Sequence, residues 1–282
     1  FSYFFLFVRV RTALRSKANQ ASAAETMVQR GKVLAIAGAK GGVGTTTLAV
    51  NLAAKLVEVG KTAIVGELQP GAATSAVQLG LTPRRGESKL WNSEGFRITE
   101  RTVEEHLLSH PSGVRILLGP PNMPSHQRLD GNDAGELIQA LSSLAQFTIL
   151  DVGSGEGPWQ QELLRRAESI LLVLEMDPCS LSAAQRRLAS WAEIDIQPGA
   201  VTAVVNNRIH LPSPPTGLGA IRSDLECDIV GVIPADPEGC VAAVHQSVPL
   251  VQMRPDSVTA GALAALANRV GMNSLAPVHA GL

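Results

Sequence analysis

From Lys32 onward, short apolar runs alternate with longer stretches in which apolar positions recur at helical spacing. An apolar run bounded by turn residues reads as a strand, and a period of about 3.6 reads as a helix with one buried face. Strands are expected at residues 33–37, 63–67, 114–118, 147–151, 170–174, 201–205 and 229–233. Helices are expected at 46–59, 134–143, 159–167, 181–192, 238–246 and 258–270. Several strands, such as Ile170-Leu171-Leu172-Val173-Leu174, are apolar throughout, so both of their faces are covered. This alternation predicts an α/β fold: a mostly parallel central sheet with crossover helices on both faces. Residues 70–112, with Pro83, Gly86, Trp91 and Gly95, read as a short helix among loops, and 211–219 as a Pro/Gly-rich connection.

Composition narrows the class. At 282 residues and 45% hydrophobic, the chain can build one substantial core, expected over 31–272. Residues 1–30 form an apolar, then basic, segment and a polar linker, and 273–282 a tail with neither basic residues nor helical pattern. The run Phe1-Ser2-Tyr3-Phe4-Phe5-Leu6-Phe7-Val8, followed by Arg9, Arg11, Arg15 and Lys17, is shorter than the ~20 residues that span a bilayer. It reads either as the remnant of a membrane anchor or as the end of an upstream domain. Lys+Arg number 24 against 25 Asp+Glu, so no strong nucleic-acid signal exists globally. The Arg pairs 84–85, 165–166 and 186–187 are scattered. Cys179, Cys227 and Cys240 are far apart, odd in number and form no C-x-x-C pair, which argues against a disulfide framework and a metal knuckle.

The chemistry concentrates after the first strand. Val33-Leu34-Ala35-Ile36-Ala37-Gly38-Ala39 runs into Lys40-Gly41-Gly42-Val43-Gly44-Thr45-Thr46-Thr47, which opens a helix. Glycines there allow a tight turn and bring successive N–H groups near phosphate oxygens, and the helix N-terminus adds partial positive charge. The Thr46 hydroxyl stands where such loops ligate Mg2+. Two positions depart from G-x-x-x-x-G-K-[ST]: Ala39 replaces the first glycine and Thr45 the phosphate-binding lysine.

With Lys40 as the remaining cation, the loop resembles the deviant Walker A pattern K-G-G-V-G-K-[ST] of MinD- and ParA-like ATPases. The resemblance implies a P-loop fold, bound ATP and Mg2+, and a homodimer in which Lys40 reaches the nucleotide of the partner. Asp151-Val152-Gly153-Ser154-Gly155 is similar to the family's D-x-x-x-G switch, so Asp151 is expected at the Mg2+ shell and Gly155 near the terminal phosphate. Gly231-Val232-Ile233-Pro234-Ala235-Asp236-Pro237 and Val248-Pro249-Leu250-Val251 resemble the segments around the adenine pocket, assigning Pro234 and Asp236 to cofactor binding. Asn206 or Asn207 falls where the family places a base-contacting Asn.

One acid is missing. Where the family carries D-x-D-P, this chain has Glu67-Leu68-Gln69-Pro70, and the amide of Gln69 orients water but takes no proton. Together with Thr45 this predicts slow or impaired hydrolysis, with Lys40, Gln69 and Asp151 as the catalytic set. Thr45 makes the loop look most like the CpaE/TadZ branch, which implies an assembly factor for Flp-type pilus secretion machinery. That protein is expected to be cytoplasmic, with peripheral association at the inner membrane or a pole open to it, and to bind pilus assembly proteins. A ParA-type partition ATPase, a MinD-like division regulator and a scaffold that binds no nucleotide are the competing readings. Iron-sulfur carriers and tyrosine kinases of this fold need clustered cysteines or a Tyr-rich tail, and neither is present.

Overall fold

The computed structural model describes residues 30–69, 71–82, 89–92, 97–119, 131–209, 216–225 and 227–272. The expectations placed on 1–29, 210–215 and 273–282 lie outside the described residues, as do Pro70, Pro83, Arg84, Arg85, Gly86 and Gly95.

Apolar continuity makes the central strands. β1 (Lys32–Gly38) leads through the glycine loop into α1 (Thr45–Glu58), and β2 (Ala63–Glu67) follows. Next come three short helices, α2 (Thr74–Gln78), α3 (Lys89–Asn92) and α4 (Glu100–Glu105), then β3 (Leu108–Ser109) and β4 (Arg115–Leu118). The chain continues through α5 (Gly131–Leu144), β5 (Phe147–Gly153), α6 (Pro158–Arg166), β6 (Ser169–Leu174), α7 (Pro178–Glu193) and β7 (Val201–Asn206). It closes with α8 (Leu218–Asp224), β8 (Asp228–Ile233), α9 (Pro237–Gln246), α10 (Leu250–Met253) and α11 (Val258–Gly271).

The strands form one sheet in the order β3-β4-β2-β5-β1-β6-β7-β8. All pairings are parallel except β3 with β4. Seven strands match the expected segments within two residues. The two-residue edge strand β3 was not expected, being too short to leave a periodic signal. Helix α8 begins inside the stretch read as a loop, capped by Gly217 and anchored by the buried Ile221.

Alternation in β1 divides the core in two. Ala35 and Ala37 belong to one face, which carries α5, α6 and α7; Leu34 and Ile36 belong to the other, under α1 and α11. Each fully buried Leu or Ile contributes roughly 1.5–3 kcal/mol, so both layers hold the sheet. The 70–112 region is tied to the core by Trp91 of α3, which packs against Trp159 of α6. Trp91 and Trp159 meet edge to face with centroids 6.4 Å apart, and their indole N–H groups donate to Leu118 and Leu68 carbonyls, each at 3.2 Å.

β1 lies between β5 and β6, while the chain leaves β1 toward β2 on one side and β6 toward β7 on the other. That reversal opens a crevice at the C-terminal ends of the strands, where open α/β sheets bind ligands. Among the described residues no helix is long and apolar enough to cross a membrane.

Candidate functional site

The glycine loop sits in that crevice. Gly42 and Gly44 adopt φ of +77° and +94°, a left-handed conformation that glycine enters without steric cost. A Cβ on Gly44 would come within 2.5 Å of Asn206 Nδ2, so the space beside it is also taken. Gly44 caps α1 without a side-chain hydrogen bond, and among the described residues no side chain bonds the first-turn amides of that helix. By contrast, Asp177, Asp236 and Ser257 accept from the first turns of α7, α9 and α11. The Thr45–Thr47 amides therefore remain as open donors at the positive end of a 14-residue helix. Val43 is buried under the loop and offers its carbonyl to Asn206 Nδ2 at 2.7 Å.

Beside the loop, β5 ends in Asp151, 2% exposed. Thr46 Oγ1 donates to Asp151 Oδ2, and the Gly153 amide donates to Oδ1 at 3.2 Å. Burial pushes the Asp151 carboxyl up, reinforced by the neighbouring Glu67, against the pull of the Thr46 and Thr45 hydroxyls and the Gly153 amide. The lysine position of ordinary phosphate loops thus holds a hydroxyl turned toward Asp151. A buried carboxylate and an adjoining hydroxyl, matched by no cation among the described residues, suit a hard divalent ion that takes oxygen ligands and keeps its own waters. No group of three or more His, Cys, Asp or Glu side chains capable of holding a metal occurs among the described residues. Gln69 is exposed, and its amide lies over Gly153, so close that a Cβ there would overlap it. Gly155 follows in the loop before α6, against the Gln160 side chain.

Lys40 is placed differently from a lysine extended into solvent. Its Nζ is 2.7 Å from Glu175 and 3.1 Å from Asp177, with the side chain 35% exposed. Glu175 in turn accepts from Arg208 Nε at 2.5 Å. The hydrogen bond from Lys40 to Glu175, partly offset by burial, raises the lysine pKa. Burial would raise the carboxyl of Glu175, but Arg208 and Lys40 outweigh it and the net shift is down. The four side chains form one cluster of alternating charge at the mouth of the loop.

A cavity of about 280 Å³ adjoins the loop, bordered by Gly44, Thr47, Asn206, Asn207, Pro234 and Asp236. Both asparagines reach it. Asn206 spends its amide on the loop, whereas the Asn207 backbone N–H pairs with the Ile233 carbonyl at 2.9 Å. Pro234 accepts from Thr259 Oγ1 at 3.0 Å. Asp236 Oδ1 accepts from the Gly239 amide at 2.9 Å and from Arg254 at 2.8 Å, while Oδ2 is buried without a partner among the described residues.

Sequence reading missed Asn51 and the acids of the Lys40 cluster. Asn51 Nδ2 donates to the Thr47 carbonyl at 2.7 Å, and its Oδ1 accepts from the Val251 amide at 3.0 Å, tying the loop helix to α10. An Asn inside an apolar helix face was the available signal. Glu175-Met176-Asp177 carried one too: like Asp151, these acids stand at the C-terminal end of a buried strand.

Comparison with known proteins agrees with this geometry. Residues 31–195 match the AAA domain family. The antiactivator FleN of Pseudomonas aeruginosa is 31% identical over 250 residues, covering 85% of this chain and 86% of FleN. The septum site-determining protein MinD of Thermotoga maritima is 22% identical over 78% of this chain and 81% of its own length. Among solved structures, MinD from Pyrococcus horikoshii complexed with Mg-ADP superposes with a TM-score of 0.70 at 20% identity, covering 85% of this chain and 96% of that one.

Proposed function

This chain belongs to the MinD/ParA family of ATPases, and from that premise we propose that it is an ATP- and Mg2+-dependent dimerising switch that positions Flp-type pilus secretion machinery. The observation that carries the nucleotide reading is the uncapped start of α1 behind two left-handed glycines, with Thr46 and Asp151 joined beside it. Gly41 to Thr47 hold the phosphates through backbone N–H groups. Thr46 and Asp151 hold Mg2+, which when bound neutralises phosphate charge. The cavity beyond Thr47, edged by Asn206, Asn207, Pro234 and Asp236, takes the base. Gly155 offers its amide to the terminal phosphate.

Slow hydrolysis follows from what the site lacks. Gln69 orients a water over Gly153 but cannot accept its proton, and Thr45 supplies no positive charge to the developing transition state. A nucleotide held longer than it is split suits a protein whose output is a location. Thr45 within the A-K-G-G-V-G-T-T-T wording supports the CpaE/TadZ branch and hence pilus assembly proteins as partners. The likeness to FleN favours a second reading on the same site: a nucleotide-controlled regulator that restrains an activator protein.

Equilibrium binding of labelled ATP with Mg2+ is the direct test. Saturable, Mg2+-dependent binding is expected, and its absence would favour a scaffold that binds no nucleotide. Secretin, pilin and secretion-ATPase genes beside this one are expected for pilus assembly; flagellar or partition genes in their place would overturn that branch.

A further inference from the structure

Helix α7 carries a buried cation that none of the chemistry above uses. Arg187 is 2% exposed, and its side chain runs back toward the start of the helix, as helical side chains do. Nη2 donates to the Ser154 carbonyl in the loop after β5 and lies 3.4 Å from Glu156 Oε1. The guanidinium rests 5.8 Å from the centre of the Trp191 ring. Nε and Nη1 are buried with no partner among the described residues. Burial pulls the pKa of this group down, opposed by Glu156. A half-satisfied guanidinium is a poor way to fill an apolar slot, because an aliphatic side chain of similar length would pack there without stranding donors.

What the arginine accomplishes is geometric. In a trans peptide the C=O and the following N–H point in opposite directions, and no peptide of the described chain is cis. With the Ser154 carbonyl turned to α7, the Gly155 N–H is turned away from it, and it meets no acceptor among the described residues. On the other side of the same segment, Ser154 Oγ lies 3.7 Å from where a Cβ on Gly41 would sit. The Ser154–Gly155 segment therefore lies between the glycine loop and Arg187.

We infer that Arg187 is a positioning residue for triphosphate recognition: by holding the Ser154 carbonyl, it sets the Gly155 N–H as a donor to the terminal phosphate of a nucleoside triphosphate. A side chain far from the glycine loop in sequence then decides how well the protein separates triphosphate from diphosphate. The inference rests on the nucleotide reading of the loop.

Arg187→Met and Arg187→Lys test it, with Mg2+ and either ADP or a non-hydrolysable ATP analogue titrated into the full chain, alongside thermal melts. Arg187→Met is expected to hold or raise the melting temperature and to change ADP affinity less than about twofold. It should weaken the ATP analogue about tenfold, the scale of one hydrogen bond to a charged group. Arg187→Lys, which keeps a donor for Ser154, should recover most of that loss. An unchanged triphosphate-to-diphosphate ratio in Arg187→Met overturns the inference, as does equal weakening of both nucleotides with a lowered melting temperature, the outcome of a packing role alone. If the unsubstituted chain binds neither nucleotide, the loop reading itself is overturned.

Discussion

Two helices start at the ends of strands that flank β5, and they treat their first-turn amides in opposite ways. At α2, Glu67 spends both carboxylate oxygens on the helix: Oε1 accepts from the Thr74 amide at 2.7 Å, and Oε2 from the Ser75 amide at 3.0 Å and from its hydroxyl. At α1, Gly44 brings no side chain to the amides at all. Both positions sit at the same edge of the sheet, and both lie near Asp151, whose Cα is the register partner of Glu67. The difference separates scaffold from site. An anion built into the chain satisfies the start of α2, while the donors of α1 stay open, as the proposed phosphate site requires. The paired acids differ in what they serve: Glu67 accepts from the start of α2, whereas Asp151, whose carboxyl burial pushes up, accepts from Thr46 and Gly153 beside the open start of α1.

The largest effect should come from stripping the built-in anion. Glu67→Ala leaves two amides and a hydroxyl without their acceptor and is expected to cost about 3 kcal/mol. That corresponds to a loss of roughly 6–12 °C in a thermal melt followed by circular dichroism. If stability is unchanged, the division between the two helix starts fails. Closing the open start comes next. Gly44→Ala forces a left-handed residue against Asn206 and should weaken nucleotide binding by at least about tenfold, a cost on the order of 1–3 kcal/mol.

Asp151→Asn should remove most of the Mg2+ dependence of binding, about tenfold in affinity, while leaving stability equal or higher. Its pH behaviour gives the sign of the strain. Because burial raises the folded pKa, the protonated form contributes stability below the ordinary carboxylate range, and this is lost as pH rises through the raised value. Without Mg2+, the stability of the native chain relative to Asp151→Asn should therefore fall with rising pH in urea titrations; a rising difference would reverse the assignment.

Two smaller effects concern the rim. Lys40→Ala should reduce ATP-dependent self-association several-fold in sedimentation, on the order of 1 kcal/mol for a partly exposed charge. An unchanged monomer–dimer balance would count against a cross-subunit role. Gln69→Asp should raise turnover a few-fold at most, since Thr45 still offers no cation; a phosphate-release assay that shows no gain would place the limiting deficit at Thr45.

Much of this was legible along the chain because its causes are local. Strands such as 63–67 announce themselves as apolar runs, and the glycine loop is a contiguous word whose backbone chemistry follows from its spelling. The antiparallel edge β3 has no such signature, since two residues cannot show a period. Glu67 drew no role from the sequence, because its partners, Thr74 and Ser75, lie seven and eight residues on in a helix too short to be seen from its pattern.

The sequence by itself determined the parallel sheet, the phosphate loop and the loss of the usual lysine and acid, because each depends on neighbours in the chain or on the period of one element. Only the tertiary structure decided where the charges went. Lys40 meets Glu175 and Asp177 because β6 pairs with β1 in the sheet, and Arg187 meets Ser154 because α7 packs on the sheet face beside the end of β5. Coulomb and hydrogen-bond energies depend on distance in space, and the sheet order brings together residues that the chain keeps more than thirty or a hundred positions apart.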